Sequence, residues 1–160
     1  MSGFFLSCTN LNLHTMTTTA TKPSVAFWII SVLALLWNLM GVMQFIMQVT
    51  MTPEALQALP AAEQTLYTDL PTWVTIAFAV AVFGSALGCV LLLLRRKLST
   101  TVFIVAYAGI LVQMVYQLFI SKSIEVYGPG MGYGMPIMIL ILGAFLIWYS
   151  RKTTAIGWLS

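Results

Sequence analysis

Long uncharged runs dominate the pattern along the chain, and the two most informative runs flank a short basic turn. Residues 73–94 and 98–121 carry no charge, and the segment between them is Arg95, Arg96 and Lys97. About 20 consecutive apolar residues span a hydrocarbon core of about 30 Å as a helix, so each run is long enough. The pattern therefore predicts a transmembrane hairpin that turns at its basic segment.

Two further apolar runs predict one helix on either side of this hairpin. Residues 25–49 would form a helix roughly 37 Å long at about 1.5 Å per residue. The last run begins near Pro136, which suits the first turn of a helix, and ends near Tyr149. The predicted fold class is all-α, a polytopic membrane protein whose four transmembrane helices form two hairpins. The helices are expected at about residues 25–49, 73–94, 98–121 and 131–149.

The segment before the last run is rich in glycine, since four of residues 128–134 are glycines and one is proline. We expect no ordinary helix there, because glycine and proline are the poorest helix formers. From Pro136 to Tyr149 a helix would measure roughly 21 Å, which falls short of a core of about 30 Å. Two alternatives follow: residues 131–135 join the helix, or the glycine-rich segment enters the outer leaflet.

The polar segment at residues 50–72 is predicted to form an amphipathic loop outside the membrane. Thr52, Pro53 and Glu54 supply a capping hydroxyl, a proline for the first helical position and an acid in the first turn. A second helix start follows at Pro60. Because leucines recur at near-helical spacing, two short surface helices with inward leucines are one alternative, and an ordinary loop is the other.

Composition supports a membrane protein and removes several classes of function. The chain of 160 residues is 60% hydrophobic and 7% charged, whereas soluble domains carry about a quarter charged residues. The net charge of +3 does not indicate a nucleic-acid partner, because the cations stand at the ends of apolar runs. The lipid bilayer is the expected partner.

The distribution of cations predicts the orientation of the four helices. With both termini cytoplasmic, six of the seven cations lie inside, and Lys122 lies outside with all four acids. The six inside cations are Lys22, Arg95, Arg96, Lys97, Arg151 and Lys152. Because short cytoplasmic loops carry an excess of Lys and Arg, we expect a multi-pass protein of the bacterial cytoplasmic (inner) membrane with both termini cytoplasmic.

The two ends of the chain are predicted to lie outside the transmembrane domain, which is expected at residues 23–152. Residues 1–22 are polar, lack the apolar core of a signal peptide and are expected to be disordered. Met16 is an alternative start to Met1, and a start there would leave residues 1–15 untranslated. Residues 153–160 are expected to form a cytoplasmic tail.

Amides and one tyrosine mark a single face on each of two predicted helices. They are Asn38, Gln44 and Gln48 on the first helix, and Gln113, Tyr116 and Gln117 on the third. Both helices rise from the cytoplasm, so these stripes fall at comparable depths and can line a shared cavity. Uncharged amides can bind a neutral, polyhydroxylated solute, or they can bond the helices to one another.

Small residues recur at four-residue spacing along the second predicted helix. The pair Gly84 and Gly88 is of the small-xxx-small type, which lets two helices approach closely. We therefore predict helix packing at this face. The alternative is glycine that is tolerated without a role in a dimer.

No arrangement of residues in the sequence indicates catalysis, a metal or a cofactor. None of the eleven charged residues falls within a predicted span, which argues against an intramembrane proton or ion relay. His14 is the single histidine, and Cys8 and Cys89 lie far apart in the chain. We therefore expect a protein that is not an enzyme.

Five short stretches of the sequence are similar to segments of known proteins. They read LWNLMGVM at residues 36–43, MTPEAL at 51–56, VFGSALGC at 82–89, EVYGPG at 125–130 and WYSR at 148–151. Together they resemble a family of small four-helix bacterial membrane proteins often labelled "sugar transporter", over about residues 23–160. The resemblance implies a four-helix fold and sugar transport, and it implies no particular binding residues.

Two functions from different classes follow. The resemblance and the amide stripes favour an oligomeric facilitator of a neutral polar solute such as a sugar. A second copy would enlarge the small space that four helices enclose. Small size, uncharged spans and the small-residue face favour instead a non-transporting accessory or structural subunit of a larger membrane complex. The expected protein partner is accordingly a second copy or another membrane subunit.

Overall fold

The structure, a computed structural model, is all-α. It describes residues 22–121 and 123–159, so the expectations for residues 1–21, Lys122 and Ser160 lie outside the described residues. The helices are α1 (Val25–Val49), α2 (Pro53–Gln57), α3 (Ala61–Thr68), α4 (Thr72–Leu93), α5 (Leu98–Phe119) and α6 (Ser123–Ala155). Four of them, α1, α4, α5 and α6, are long and apolar enough to cross a membrane. The predicted fold class is confirmed.

Local signals explain where α1 and the two short helices begin. Ser24 caps α1, because its side-chain oxygen accepts a hydrogen bond from the Phe27 amide at 3.4 Å. Thr52 caps α2 in the same way through the Ala55 amide, at 3.2 Å. Pro60 precedes α3. Residues 50–72 thus contain two short helices rather than an ordinary loop.

The long helices pack in chain order around a central pair, α4 and α5. A Cβ atom added at Gly109 would lie 2.9 Å from the Ala77 carbonyl oxygen, and one at Gly88 would lie 2.6 Å from the Phe103 ring. Gly84 also faces α5. Packing of α1 against α4 and of α6 against α5 completes the bundle. The glycines predicted for helix packing therefore lie at a contact within this chain.

One end of the bundle, the basic end, gathers the α4–α5 turn and both ends of the described chain. Its cations are Lys22, Arg95, Arg96, Lys97, Arg151 and Lys152. At this end α4 closes in a Schellman turn with Arg95 in the left-handed conformation, at φ 58°, where glycine is usual. A matching turn around Gly157, at φ 83°, ends α6. The Arg95 Nε donates to the Trp158 carbonyl at 2.7 Å and so joins the two turns.

A cluster of buried side chains, the basic-end core, fills this end of the bundle. Its members are Phe27, Cys89, Leu92, Phe103, Leu146, Tyr149 and Leu159. Phe27 of α1 is fully buried and stacks on Tyr149 of α6, with ring centroids 6.4 Å apart. Beyond this point no extended packing joins α1 to α6 among the described residues. The two outer helices of the row therefore meet at the basic end and separate toward the other end.

The fourth long helix differs from the prediction at both ends. It begins at Ser123 rather than near residue 131, and it ends at Ala155 rather than near residue 149. A kink at Gly128, with φ 75° and ψ 166°, interrupts it, and residues 129–134 are helical. Because a Cβ atom at Gly132 would lie 2.9 Å from the Ile124 Cα, glycine permits the chain before the kink to pack against the helix after it. The prediction of no ordinary helix in residues 128–134 was therefore wrong beyond Gly128.

The expected tail at residues 153–160 is part of the folded bundle as far as Leu159. Residues 153–155 form the last turn of α6. There the Thr153 hydroxyl donates a hydrogen bond to the Tyr149 carbonyl at 3.0 Å. Beyond the turn at Gly157, Leu159 is 2% exposed and belongs to the basic-end core. The chain after α6 thus closes the bundle at the basic end.

Candidate functional site

Two adjoining cavities lie in the part of the bundle away from the basic-end core. The acidic end is the end that holds α2, α3 and the acids Glu54, Glu63, Asp69 and Glu125. The acidic-end cavity, about 300 Å³, lies beneath α3 and is walled by α1, α4, α5 and the start of α6. The central cavity, about 280 Å³, is walled by α1, α4, α5 and α6. Four shared lining residues join them into one cleft: Gln44, Phe78, Gln113 and Gln117.

All six residues of the two predicted polar stripes line this cleft. They are Asn38 in the central cavity, Gln48 and Tyr116 in the acidic-end cavity, and Gln44, Gln113 and Gln117 in both. The stripes on α1 and α5 therefore face a common space, with α4 as its floor. Their role in binding a solute stays a prediction.

Two of the six side chains are bonded within the protein. The Asn38 Nδ2 donates to the Ala34 carbonyl at 2.8 Å and to the Cys89 Sγ at 3.4 Å. The Tyr116 hydroxyl donates to the Asp69 carbonyl at 3.2 Å. Asn38 thus joins α1 to α4, and Tyr116 holds the chain after α3 against α5. For these two residues the observed contacts are hydrogen bonds within the protein, as the alternative to solute binding predicted.

The four glutamines differ from this pair because their amides remain available. Gln44, Gln48, Gln113 and Gln117 make no side-chain hydrogen bond to any residue in the part of the chain that the structure describes. An amide offers two donors and an acceptor, and lipid supplies no partner for them. The glutamines therefore give the cleft a set of uncharged donors and acceptors that water or a ligand can use.

The cleft is electrically neutral. Among residues 22–121 and 123–159, no charged side chain lines either cavity, and no group of His, Cys, Asp and Glu could hold a metal ion. The four acids lie outside the cleft. One of them, the exposed Glu54, has its pKa lowered by hydrogen bonds from the Glu54 backbone amide and from the Thr52 hydroxyl. An ionised ligand would find no counter-charge in the cleft, so the lining suits a neutral one.

Hydroxyl groups are the part of the cleft that sequence reasoning missed. Ser85 is 7% exposed, lines the central cavity and makes no side-chain hydrogen bond to another described residue. Ser121 and Ser123 line the acidic-end cavity, but their hydroxyls donate to the Gln117 carbonyl. Ser85 is the only serine or threonine in residues 76–94, which is the signal that would have singled it out.

The depth of the cleft is limited by the basic-end core. Phe103 on α5 and Leu92 on α4 are at most 3% exposed and lie below the central cavity on the same helices that wall it. The cleft therefore opens away from the basic end and is closed toward it.

Comparisons of the chain with protein-family models, with curated proteins and with solved structures find no match. The geometry of the cleft is therefore the basis for a functional proposal, and the resemblance to sugar transporters stays a prediction.

Proposed function

We propose that this membrane protein binds a small, uncharged, hydrogen-bonding solute such as a sugar or polyol and facilitates its movement across the bilayer. The observation that carries the proposal is the set of four unbonded glutamines around one neutral cleft. Cavities of about 300 and 280 Å³ stand at the lower end of the range of about 300–1,000 Å³ typical of ligand sites. The cleft therefore suits a small ligand.

Passage of a solute requires the basic end to open, because the basic-end core closes the cleft there. We propose that α1 moves relative to the other long helices. Of an apolar segment of 18 residues in α1, 11% are buried, whereas 17% to 33% are buried in the corresponding segments of α4, α5 and α6. Because α1 meets α6 mainly at the Phe27–Tyr149 stack, separation of these rings would extend the cleft toward the basic end.

The proposed orientation places the basic end in the cytoplasm of a bacterial cell, by the excess of Lys and Arg in short cytoplasmic loops. The acidic end and the mouth of the cleft then face outward. A carboxyl-terminal fluorescent-protein fusion should fluoresce, and an alkaline phosphatase fusion at the same position should be inactive. The opposite pair of results would reverse the orientation.

A flux assay in liposomes tests transport directly. Osmotic swelling is measured in protein-containing and empty vesicles with a panel of neutral sugars and polyols. Gln44→Leu and Gln113→Leu should abolish protein-dependent entry, because each removes donors and an acceptor from the cleft. Gln57→Leu is the matched control, since Gln57 is exposed on α2 and lines neither cavity. Equal flux in all three variants would remove the cleft as the path.

The accessory-subunit alternative retains the small size and uncharged spans as support, but the small-residue face supports it less. Gly84 and Gly88 contact α5 of the same chain and are not free for a partner helix. Homo-oligomer formation stays a prediction, and each chain contains its own cleft. Native mass spectrometry from the source membrane distinguishes these states, because a foreign subunit at fixed stoichiometry would favour the accessory role.

A further inference from the structure

We propose that the ligand of this cleft is an amphiphile with an uncharged hydroxylated head and a single apolar chain, which enters the central cavity from the bilayer between α1 and α6. The inference rests on the proposed function and names its ligand class. It is carried by three features of the central cavity: a gap in its wall, an unbonded polar floor and an apolar rim.

The gap lies where α1 and α6 separate. These helices stack at the basic end through Phe27 and Tyr149, and no extended packing joins them beyond it. Both nevertheless wall the central cavity, with Met40 on one side and Met135 on the other. Met40 is 61% and Met135 is 51% exposed, so the rim residues also belong to the membrane-facing surface. The central cavity therefore borders the bilayer directly.

The floor of the cavity opposite this gap is polar at a depth where lipid provides no hydrogen bonds. Ser85 lies roughly 12 Å from one end of α4 and roughly 20 Å from the other at about 1.5 Å per residue. Its hydroxyl makes no hydrogen bond to the described residues, and its side chain is more than nine-tenths buried. Gln113 and Gln117 line the same cavity. Such groups need a polar partner inside the cavity. A hydroxylated head that reaches this floor supplies one.

The remaining lining suits an apolar chain. Five methionines of the described residues line the two cavities: Met40, Met47, Met51, Met114 and Met135. Methionine is unbranched and polarizable, so it adapts to flexible apolar ligands. Trp37 and Ile139 add apolar surface at the central cavity. A free polyol would use only the polar part of this lining, whereas an amphiphile would also pack its chain against the apolar part while its head meets the glutamines.

Quenching of Trp37 fluorescence tests this ligand directly, because Trp37 lines the central cavity and is 42% exposed. The full chain in nanodiscs is titrated with a monoacylglycerol whose chain carries two bromines. An alkyl sulfate with the same brominated chain provides an ionised head as the matched control. Subtraction of the same titration with the Trp37→Phe variant isolates the Trp37 signal. Trp148→Phe removes a lipid-exposed tryptophan outside the cleft and measures quenching from the bulk bilayer.

The monoacylglycerol should quench Trp37 saturably, with half-quenching at a mole fraction at least about tenfold lower than the alkyl sulfate requires. Gln113→Leu should raise that mole fraction by about tenfold, Ser85→Ala should raise it less, and Gln57→Leu should leave it unchanged. Circular dichroism melting of each variant shows that it is folded. If Gln113→Leu unfolds the protein, Ser85→Ala carries the test alone, since it removes one oxygen atom.

Three results would overturn the inference. Linear, non-saturating quenching by both brominated molecules would show that neither occupies a site. Equal half-quenching by the neutral and anionic heads would show that the head is not recognised. Saturable quenching that is unchanged in both cleft variants would place the molecule elsewhere. Polyol flux that depends on Gln113, together with any of these results, would retain the proposed function and remove only the amphiphile.

Discussion

The two ends of the bundle are built from the same four long helices and yet differ in packing. At the basic end, side chains from all four long helices and from the segment after α6 meet in one core, and Phe27, Cys89 and Leu92 are fully buried. Toward the acidic end, α1 and α6 separate, and the glutamines line a cleft with unbonded amides. The basic end is filled by a core that all four long helices share, whereas toward the acidic end close packing of α4 on α5 continues beside an unfilled cleft.

Residue types, and not hydrophobicity, account for this difference. Glycine at position 88 admits the Phe103 ring at the basic end, so aromatic and aliphatic side chains interdigitate. In the cleft, long glutamine and methionine side chains surround space that they do not fill. Both kinds of segment belong to helices that are long and apolar enough to cross a membrane. We therefore expect substitutions at the basic end to change stability and those in the cleft to change binding.

The largest effect on stability is expected from Leu92→Ala. Leu92 is fully buried in the basic-end core, so its truncation leaves a cavity and should lower the free energy of unfolding by about 2–5 kcal/mol. Leu87→Ala on the same helix is the control, since Leu87 is 52% exposed and its change should stay within about 0.5 kcal/mol. Reversible unfolding in detergent measures both. Similar values for the two variants would contradict a packed core at the basic end.

A smaller loss is expected from Gly88→Ala, which compares the two ends with one chemical change. The added methyl would meet the Phe103 ring at 2.6 Å, so overpacking should destabilise the protein by about 1–3 kcal/mol. Gly134→Ala is the matched change in α6, where an added Cβ atom would have no tertiary neighbour among the described residues within 4 Å. It should be neutral or stabilising by about 0.5–1 kcal/mol. Melting of the two variants under identical conditions checks the order. A reversed order would refute the assignment of close packing to position 88.

The smallest effect is expected from Tyr116→Phe, which removes the hydrogen bond that holds the end of α3 over the acidic-end cavity. Loss of the hydrogen bond to the Asp69 carbonyl should cost about 0.5–1.5 kcal/mol. Hydrogen exchange of the backbone amides in α3 should accelerate, while exchange in α5 should not change. Tyr67→Phe is the control, because Tyr67 lines the same cavity without a side-chain hydrogen bond to another described residue. Unchanged exchange in α3 would show that Tyr116 does not hold it.

The features that the sequence predicted best are those that repeat locally. The apolar runs predicted the four long helices because length and lack of charge identify segments that can span a bilayer. Helical periodicity placed Gln44 and Gln113 on the faces that line the cleft, since residues three or four positions apart share a face. The cap at Thr52 and the proline at position 53 marked the start of α2 correctly.

The features that the sequence did not predict depend on contacts between distant segments. The need for glycine at position 132 comes from the close approach of Ile124, which lies on the other side of the kink at Gly128. From composition alone, glycine indicated only a segment that disfavours a helix. The segment at residues 153–159 folds onto the bundle because Leu159 packs into the basic-end core. Likewise, the sequence could not separate the bonded Asn38 from the unbonded glutamines, because its partner Cys89 is 51 positions away.

Reactivity of introduced cysteines tests most directly whether the cleft is open toward the acidic end and closed toward the basic end. In a Cys8→Ser background, Ser99→Cys and Gln113→Cys place thiols at two depths on α5, and Cys89 stays in place because it is fully buried. A membrane-impermeant thiosulfonate is added to oriented proteoliposomes, and Ala58→Cys at the acidic end reports sidedness. We expect Cys at position 113 to react from the same side as Cys at position 58, and Cys at position 99 to remain unreacted. Protection at 113, or reaction at 99, would contradict the account.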